Sequence, residues 1–151
     1  MYYLFFLSLF IRDPKSNDEY ICKHLFKAKV LEIFTGIPAS VQIAQAIVES
    51  GGGKSYIAVN SNNHFGIKYY SNYKGLYFTD RNNVKWRKYT NTWHSYIDHA
   101  LFMMKHYPQL RYNPVSSCKQ MKGYSKKAKY WEYIHNYIKR KKIDKYDLHR
   151  N

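Results

Sequence analysis

The sequence predicts a mainly α-helical domain of α+β type, with a small β excursion between helices. Three observations carry this. Apolar residues recur at three- and four-residue steps toward both ends of the chain. The middle, residues 54–90, is instead punctuated by Asn60, Asn62, Asn63, Asn72, Asn82 and Asn83 between short runs of Tyr, Phe, Val and Ile. The length of 151 residues suits one core, not two, and no internal repeat or low-complexity linker divides it.

The first eleven residues, MYYLFFLSLFI, form an apolar run about half the length that spans a bilayer. No basic residue precedes it and no Ala-x-Ala site follows. It reads equally as a segment packing on the domain and as a degenerate export signal. Residues 1–17 are therefore set apart as an extension and residues 18–151 as the domain, with no transmembrane span expected.

Pro14, Ser16, Asn17 and Asp18 supply turn and N-cap chemistry before a first helix over residues 19–35. Ile21, Leu25, Ala28, Leu31 and Phe34 give its apolar face, a basic face lies opposite, and Gly36 ends it. Pro38 opens a second helix, wrapped almost all round by Val41, Ile43, Ala44, Ala46, Ile47 and Val48, which predicts burial. Its long polar side chains, Gln42, Gln45 and Glu49, fall at i, i+3 and i+7 on one stripe. Gly51, Gly52 and Gly53 stop it directly after the acid.

Between the helices, residues 75–79 and 84–89 suit a hairpin with residues 80–83 at its tip. Helical spacing returns in Tyr96, Ala100, Met103 and Tyr107, with Pro108 as a stop. A last helix over residues 126–139 places Tyr130, Ile134, Tyr137 and Ile138 on its apolar side.

Twenty-five Lys and Arg against ten Asp and Glu give a net charge of +15. Such a field draws the protein to polyanions: nucleic acid, anionic membrane or bacterial wall. Cys22 and Cys118 are too few for a disulfide scaffold and lack zinc-site spacing, whether free or paired.

With ten carboxylates, the acids can be taken singly. Asp13, Asp18 and Glu19 belong to the leading turn, Glu32 to a basic helix face, and Asp144 and Asp147 to a charged tail where solvation explains them. Glu132 sits among lysines, and Asp98 suits a structural hydrogen-bond acceptor. Glu49 stands apart. It closes an apolar helix, where burial would raise its pKa toward that of a general acid, and three residues without side chains leave room for a bulky substrate. A buried Glu satisfied by Gln or Tyr is the competing explanation. Asp80, on the hairpin tip after Thr79, is a second acid of interest, better explained from position alone as a turn former.

Other site classes fare poorly. The three glycines end a helix instead of opening one, which excludes a phosphate-binding loop. His94, His99 and His106 lack metal-ligand spacing with a third partner, so neither metal nor cofactor is expected. Residues 139–142, Lys-Arg-Lys-Lys, suit a solvated helix end better than a nucleic-acid patch. Trp86, Trp93 and Trp131 suit core or cleft wall.

The run from Gly36 to Ser55, GIPASVQIAQAIVESGGGKS, followed by Asn62-Asn63-His64-Phe65-Gly66-Ile67-Lys68, resembles glycoside hydrolase family 73, the N-acetylglucosaminidases of autolysins, flagellar peptidoglycan hydrolases and phage lysins. Further likeness lies in Phe78-Thr79-Asp80, Trp86-Arg87-Lys88-Tyr89, Ser95-Tyr96-Ile97-Asp98-His99, Arg111-Tyr112, Gly123-Tyr124-Ser125 and Tyr130. It spans about residues 18–147.

The resemblance implies a lysozyme-like helical domain with a small β-lobe over the active-site cleft. It implies Glu49 as the general acid acting on the bond between N-acetylglucosamine and N-acetylmuramic acid. Asn63, Phe65 and Gly66 would shape the cleft floor, Tyr124 would line the catalytic centre with Tyr130 as a second tyrosine, and Gln45 would join the substrate-binding set. Asp80 falls where many members carry a water-activating acid. Gly52 stands where the family's Ser-Gly-Trp-Gly pattern has an aromatic, implying a less walled cleft.

The group opposite Glu49 is then either Asp80, which predicts inversion, or the substrate's N-acetyl group, which predicts retention. The implied enzyme is an endo-β-N-acetylglucosaminidase acting on peptidoglycan strands. It would work as a monomer without obligate nucleic acid, at the cell envelope, in the periplasm, outside the cell or with a phage. A lytic transglycosylase or muramidase of the same class, or a non-catalytic basic module binding wall or nucleic acid, are the rivals.

Overall fold

The computed structural model describes residues 16–113, 118 and 123–148. Among them, α1 (Asn17–Thr35), α2 (Ala39–Ser50) and α3 (Tyr56–Ser61) precede the strands β1 (Tyr77–Thr79) and β2 (Lys85–Arg87). Helices α4 (Thr92–His106) and α5 (Tyr130–Lys141) follow, with 3-10 turns at Pro108–Leu110 and Ile143–Tyr146. The architecture is mostly helical with a two-stranded antiparallel sheet. Most of the expected extension, up to residue 15, lies outside the described residues, while Ser16 caps α1 and Asn17 begins it.

Helix α2 runs through the core, as its apolar girth requires. Every residue from Ala39 to Ile47 is buried, and α1 and α5 pack against it. Ile37, Ile43, Ile134 and Ile138 are sealed from solvent, each burial worth roughly 1.5–3 kcal/mol. Pro38 leaves the N-terminal amides of α2 without a local side-chain cap, and the cap comes from far along the chain. Asp147 accepts from the Ser40 amide at 2.7 Å and from its hydroxyl at 2.6 Å. This corrects the reading of Asp147 as a solvated tail residue: it is 3% exposed.

Helix α1 keeps its expected end at Gly36, whose φ of 73° closes the cap onto the Glu32 carbonyl. Its buried face differs from the expected one. Phe34 is 75% exposed, whereas Glu32 is buried and accepts from the Leu148 amide at 2.9 Å. Counting apolar steps missed this because polar side chains with partners, Tyr20, His24, Glu32 and Thr35, occupy four of the seven buried positions.

Residues 54–90 hold one feature that strand-like composition concealed. Ser55 accepts from the Ala58 amide and starts the six-residue helix α3, too short to show a period. The hairpin forms within the expected segments, as shorter strands with Phe78 opposite Trp86, and Lys68 pairs with Trp86 at its other edge. Asp98 serves as the acceptor expected of it. Arg87 reaches it at 2.7 Å and Tyr89 at 2.5 Å, which fastens the β-lobe to α4. Helix α5 begins at Tyr130, not 126, because Ser125 takes the Lys127 amide into a local turn and Lys129 is left-handed. Lys139 and Lys141 of the basic run pair with Asp144 and Asp18. Both cysteines are free thiols, Cys22 exposed and Cys118 buried.

Candidate active site

Glu49 stands one residue before the end of α2, half-buried. It lines a recess of about 210 Å3 together with Phe65, Ile67, His99, Phe102 and Tyr124. Phe65 lies flat on His99, ring centroids 3.7 Å apart and 6° from parallel. Burial drives the His99 pKa down to about 3, so this ring is a neutral floor for the recess. Tyr124 stacks on Tyr130 at 5.1 Å.

Both tyrosines are held as protonated hydroxyls. Burial first, then the negative charge of Glu49, pushes Tyr124 well above the usual phenol range. Burial, Tyr124 and then Glu49 do the same to Tyr130, for which the carboxylate is also a hydrogen-bonding neighbour. Two phenols that keep their protons beside one carboxylate give a site that can donate to a substrate oxygen while shielding the acid from water.

The other expected site residues lie around this recess, not on it. Gln45 is fully buried beneath Tyr130, its Nε2 donating to the phenol oxygen at 3.4 Å. Asn63 spends its amide on the chain. Nδ2 donates to the Ile67 and Arg87 carbonyls, and Oδ1 accepts from the Ile67 amide. It therefore sets the loop that presents Phe65. Gly66 turns that loop at φ 61° above Trp86.

Asp80 is drawn elsewhere. Its carboxylate accepts from the amides of Asn82 and Val84 and from Trp86 Nε1, each at 2.9 Å. The Trp86 bond chiefly, then that from Val84, holds its pKa below the ordinary value, and it does not line the recess. The turn-forming explanation describes its geometry.

The three glycines also differ from expectation. All are left-handed, and only Gly51 faces open space. A Cβ on Gly52 would come within 2.8 Å of Asn17 Oδ1, and one on Gly53 within 3.1 Å of Tyr20 and 3.2 Å of His64. Two of them thus permit close packing instead of opening the cleft.

A second and larger groove, about 550 Å3, opens at Gly51 and shares Tyr130 with the surroundings of Glu49. Sequence reasoning missed it, and missed His99 and Phe102 as walls of the recess. His99 stood in a quoted motif, while Phe102 left no signal beyond its place on α4. Among the described residues no three His, Cys, Asp or Glu side chains are grouped to hold a metal ion.

A carboxylic acid at a helix end, in an aromatic recess of a helical domain with a small β-lobe, is the arrangement expected of a glycosidase domain with a lysozyme-like fold. The family model described as mannosyl-glycoprotein endo-beta-N-acetylglucosaminidase matches residues 27–143, and the chain belongs to this glucosaminidase family of glycoside hydrolases.

Among its relatives, the exo-glucosaminidase LytG of Bacillus subtilis (strain 168) is 31% identical over 130 residues, covering 72% of this chain and 45% of that protein. The chain thus spans about half the length of that relative. The fold is shared with the catalytic domain of the autolysin Auto from Listeria monocytogenes, at a TM-score of 0.73, 21% identity and 90% coverage of each chain. It is shared too with the glycoside hydrolase domain of FlgJ from Salmonella typhimurium, at a TM-score of 0.65 and 21% identity, covering 85% of this chain and 89% of that one.

Proposed function

We propose that the chain is a peptidoglycan hydrolase, an endo-β-N-acetylglucosaminidase that cuts the bond between N-acetylglucosamine and N-acetylmuramic acid with Glu49 as general acid. The observation that carries this reading is the seat of Glu49, at the end of α2 in a recess walled by Phe65, His99 and Tyr124. Cleavage passes through an oxocarbenium-like state, so an acid must protonate the leaving oxygen while a second group meets the anomeric carbon.

Asp80 is poorly suited to the second role, since three donors already hold its carboxylate. The substrate's own acetamido oxygen is the better candidate. It attacks the anomeric carbon as Glu49 gives its proton to the departing oxygen. Water, deprotonated by the Glu49 carboxylate, then opens the cyclic intermediate, and configuration is retained. Tyr124 positions the acetamido group.

The family description names an endo enzyme and the relative's name an exo enzyme. The net charge of +15 suits attraction to the anionic wall. Among the described residues no helix is long and apolar enough to cross a membrane. A site of action outside the cytoplasm, at the envelope, secreted or phage-borne, follows from the substrate, and a monomer suffices for the chemistry.

Mass spectrometry of products from purified peptidoglycan, with proton NMR at early times for the anomer, tests the reading. New reducing N-acetylglucosamine ends are expected, released first as the β-anomer. Anhydro-muramoyl ends would instead mark a transglycosylase, and the α-anomer would restore inversion.

A further inference from the structure

Bond breaking at Glu49 leaves the larger groove without a role, although the two share Tyr130. Tyr130, Tyr133 and Tyr137 fall at i, i+3 and i+7 of α5 and line it along one stripe, and Asn17, Val48 and Lys127 are among the residues of the remaining wall. Its volume is about 550 Å3 against about 210 Å3 for the recess that holds Glu49. No carboxylate lines it, and the Lys127 ammonium makes no ion pair among the described residues.

The Asn17 amide and the tyrosine hydroxyls offer polar contacts, but the one charge fixed in the wall is a cation and the rest of the lining is largely apolar. Aliphatic and aromatic walls with a single cation suit a short chain that carries alkyl side groups and a free carboxylate. Resting on the reading of the substrate as peptidoglycan, we infer that the groove holds the stem peptide attached through the lactyl ether of the muramic residue. Lys127 meets a peptide carboxylate, and the Tyr130, Tyr133 and Tyr137 stripe covers the alkyl groups. Because Tyr130 belongs to both places, a peptide seated there sets the register of the strand over Glu49.

The test compares wild type, Lys127→Met and Lys126→Met on strands that keep their peptides and on strands from the same wall stripped of them. Release of reducing N-acetylglucosamine gives kcat and KM. Lys127→Met is expected to raise KM about tenfold on peptide-bearing strands, the size of one charge-assisted hydrogen bond, with stripped strands changed by less than about twofold. Lys126→Met removes the same charge outside the groove and is expected to change neither. Equal effects of Lys127→Met on both substrates would give the groove to the glycan and overturn the inference. Equal effects of the two variants would assign it to the overall field and overturn it too.

Titration with a soluble muramyl peptide reads the groove without turnover. Inactivity of the wild type on strands sinks the hydrolase reading, while weaker peptide binding by Lys127→Met, or unchanged binding, still decides the groove.

Discussion

Trp86 Nε1 donates to the Asp80 carboxylate at 2.9 Å across the turn of the hairpin. With the amides of Asn82 and Val84 on the other oxygen, both carboxylate oxygens organise the tip of the β-lobe. Asp80→Asn keeps one oxygen for the amides and is expected to retain activity within about tenfold. Loss on the order of a hundredfold or more, as removal of a general base brings, would return Asp80 to the chemistry.

Asp147 gives the fold a pH dependence. Burial above all raises its carboxyl from 3.8 to about 6, with the nearby Glu32 and Asp144 adding to the rise and the Ser40 bonds opposing it. The folded state therefore keeps a proton that the unfolded chain releases. The stability that Asp147 contributes is fully present below about pH 4 and is lost as pH climbs through 6, roughly 3 kcal/mol at most. In urea titrations between pH 4 and 7, Asp147→Asn is expected to flatten this slope, with a residue left from Glu32, which burial also raises. An unchanged slope would remove Asp147 as its source.

Tyr20 joins three elements. It is fully buried, its hydroxyl accepts from Tyr96 at 3.2 Å, and it shares a second hydrogen bond with His64 Nδ1 at 2.5 Å. Tyr20→Phe breaks both bonds and is expected to cost about 1–3 kcal/mol by urea unfolding, and more than Tyr96→Phe, which removes one. A smaller loss for Tyr20→Phe than for Tyr96→Phe would contradict this order of bonds.

Much of this was legible in the sequence because it is written in local patterns. The girth of α2 foretold its burial, Gly36 its predecessor's end, and the stripe of Gln42, Gln45 and Glu49 set these three polar side chains on one face of α2. What escaped depends on distant parts of the chain. Asp147 looked solvated because its partner Ser40 lies 107 residues away. Asp80 looked available because the claim of Trp86 on it exists only once the hairpin closes. Gly52 and Gly53 looked like open space until Asn17, Tyr20 and His64 packed against them. The groove beyond Gly51 draws its walls from α1, α2, α5 and the turn before α5, which no local window contains.

The central claim is that Glu49 delivers the proton. Glu49→Gln preserves size and removes the exchangeable acid, so the variant should unfold at the same urea concentration as wild type. Its release of reducing ends from purified peptidoglycan should fall by about a hundredfold or more. A folded Glu49→Gln protein that still cleared peptidoglycan at a rate near wild type would contradict the account.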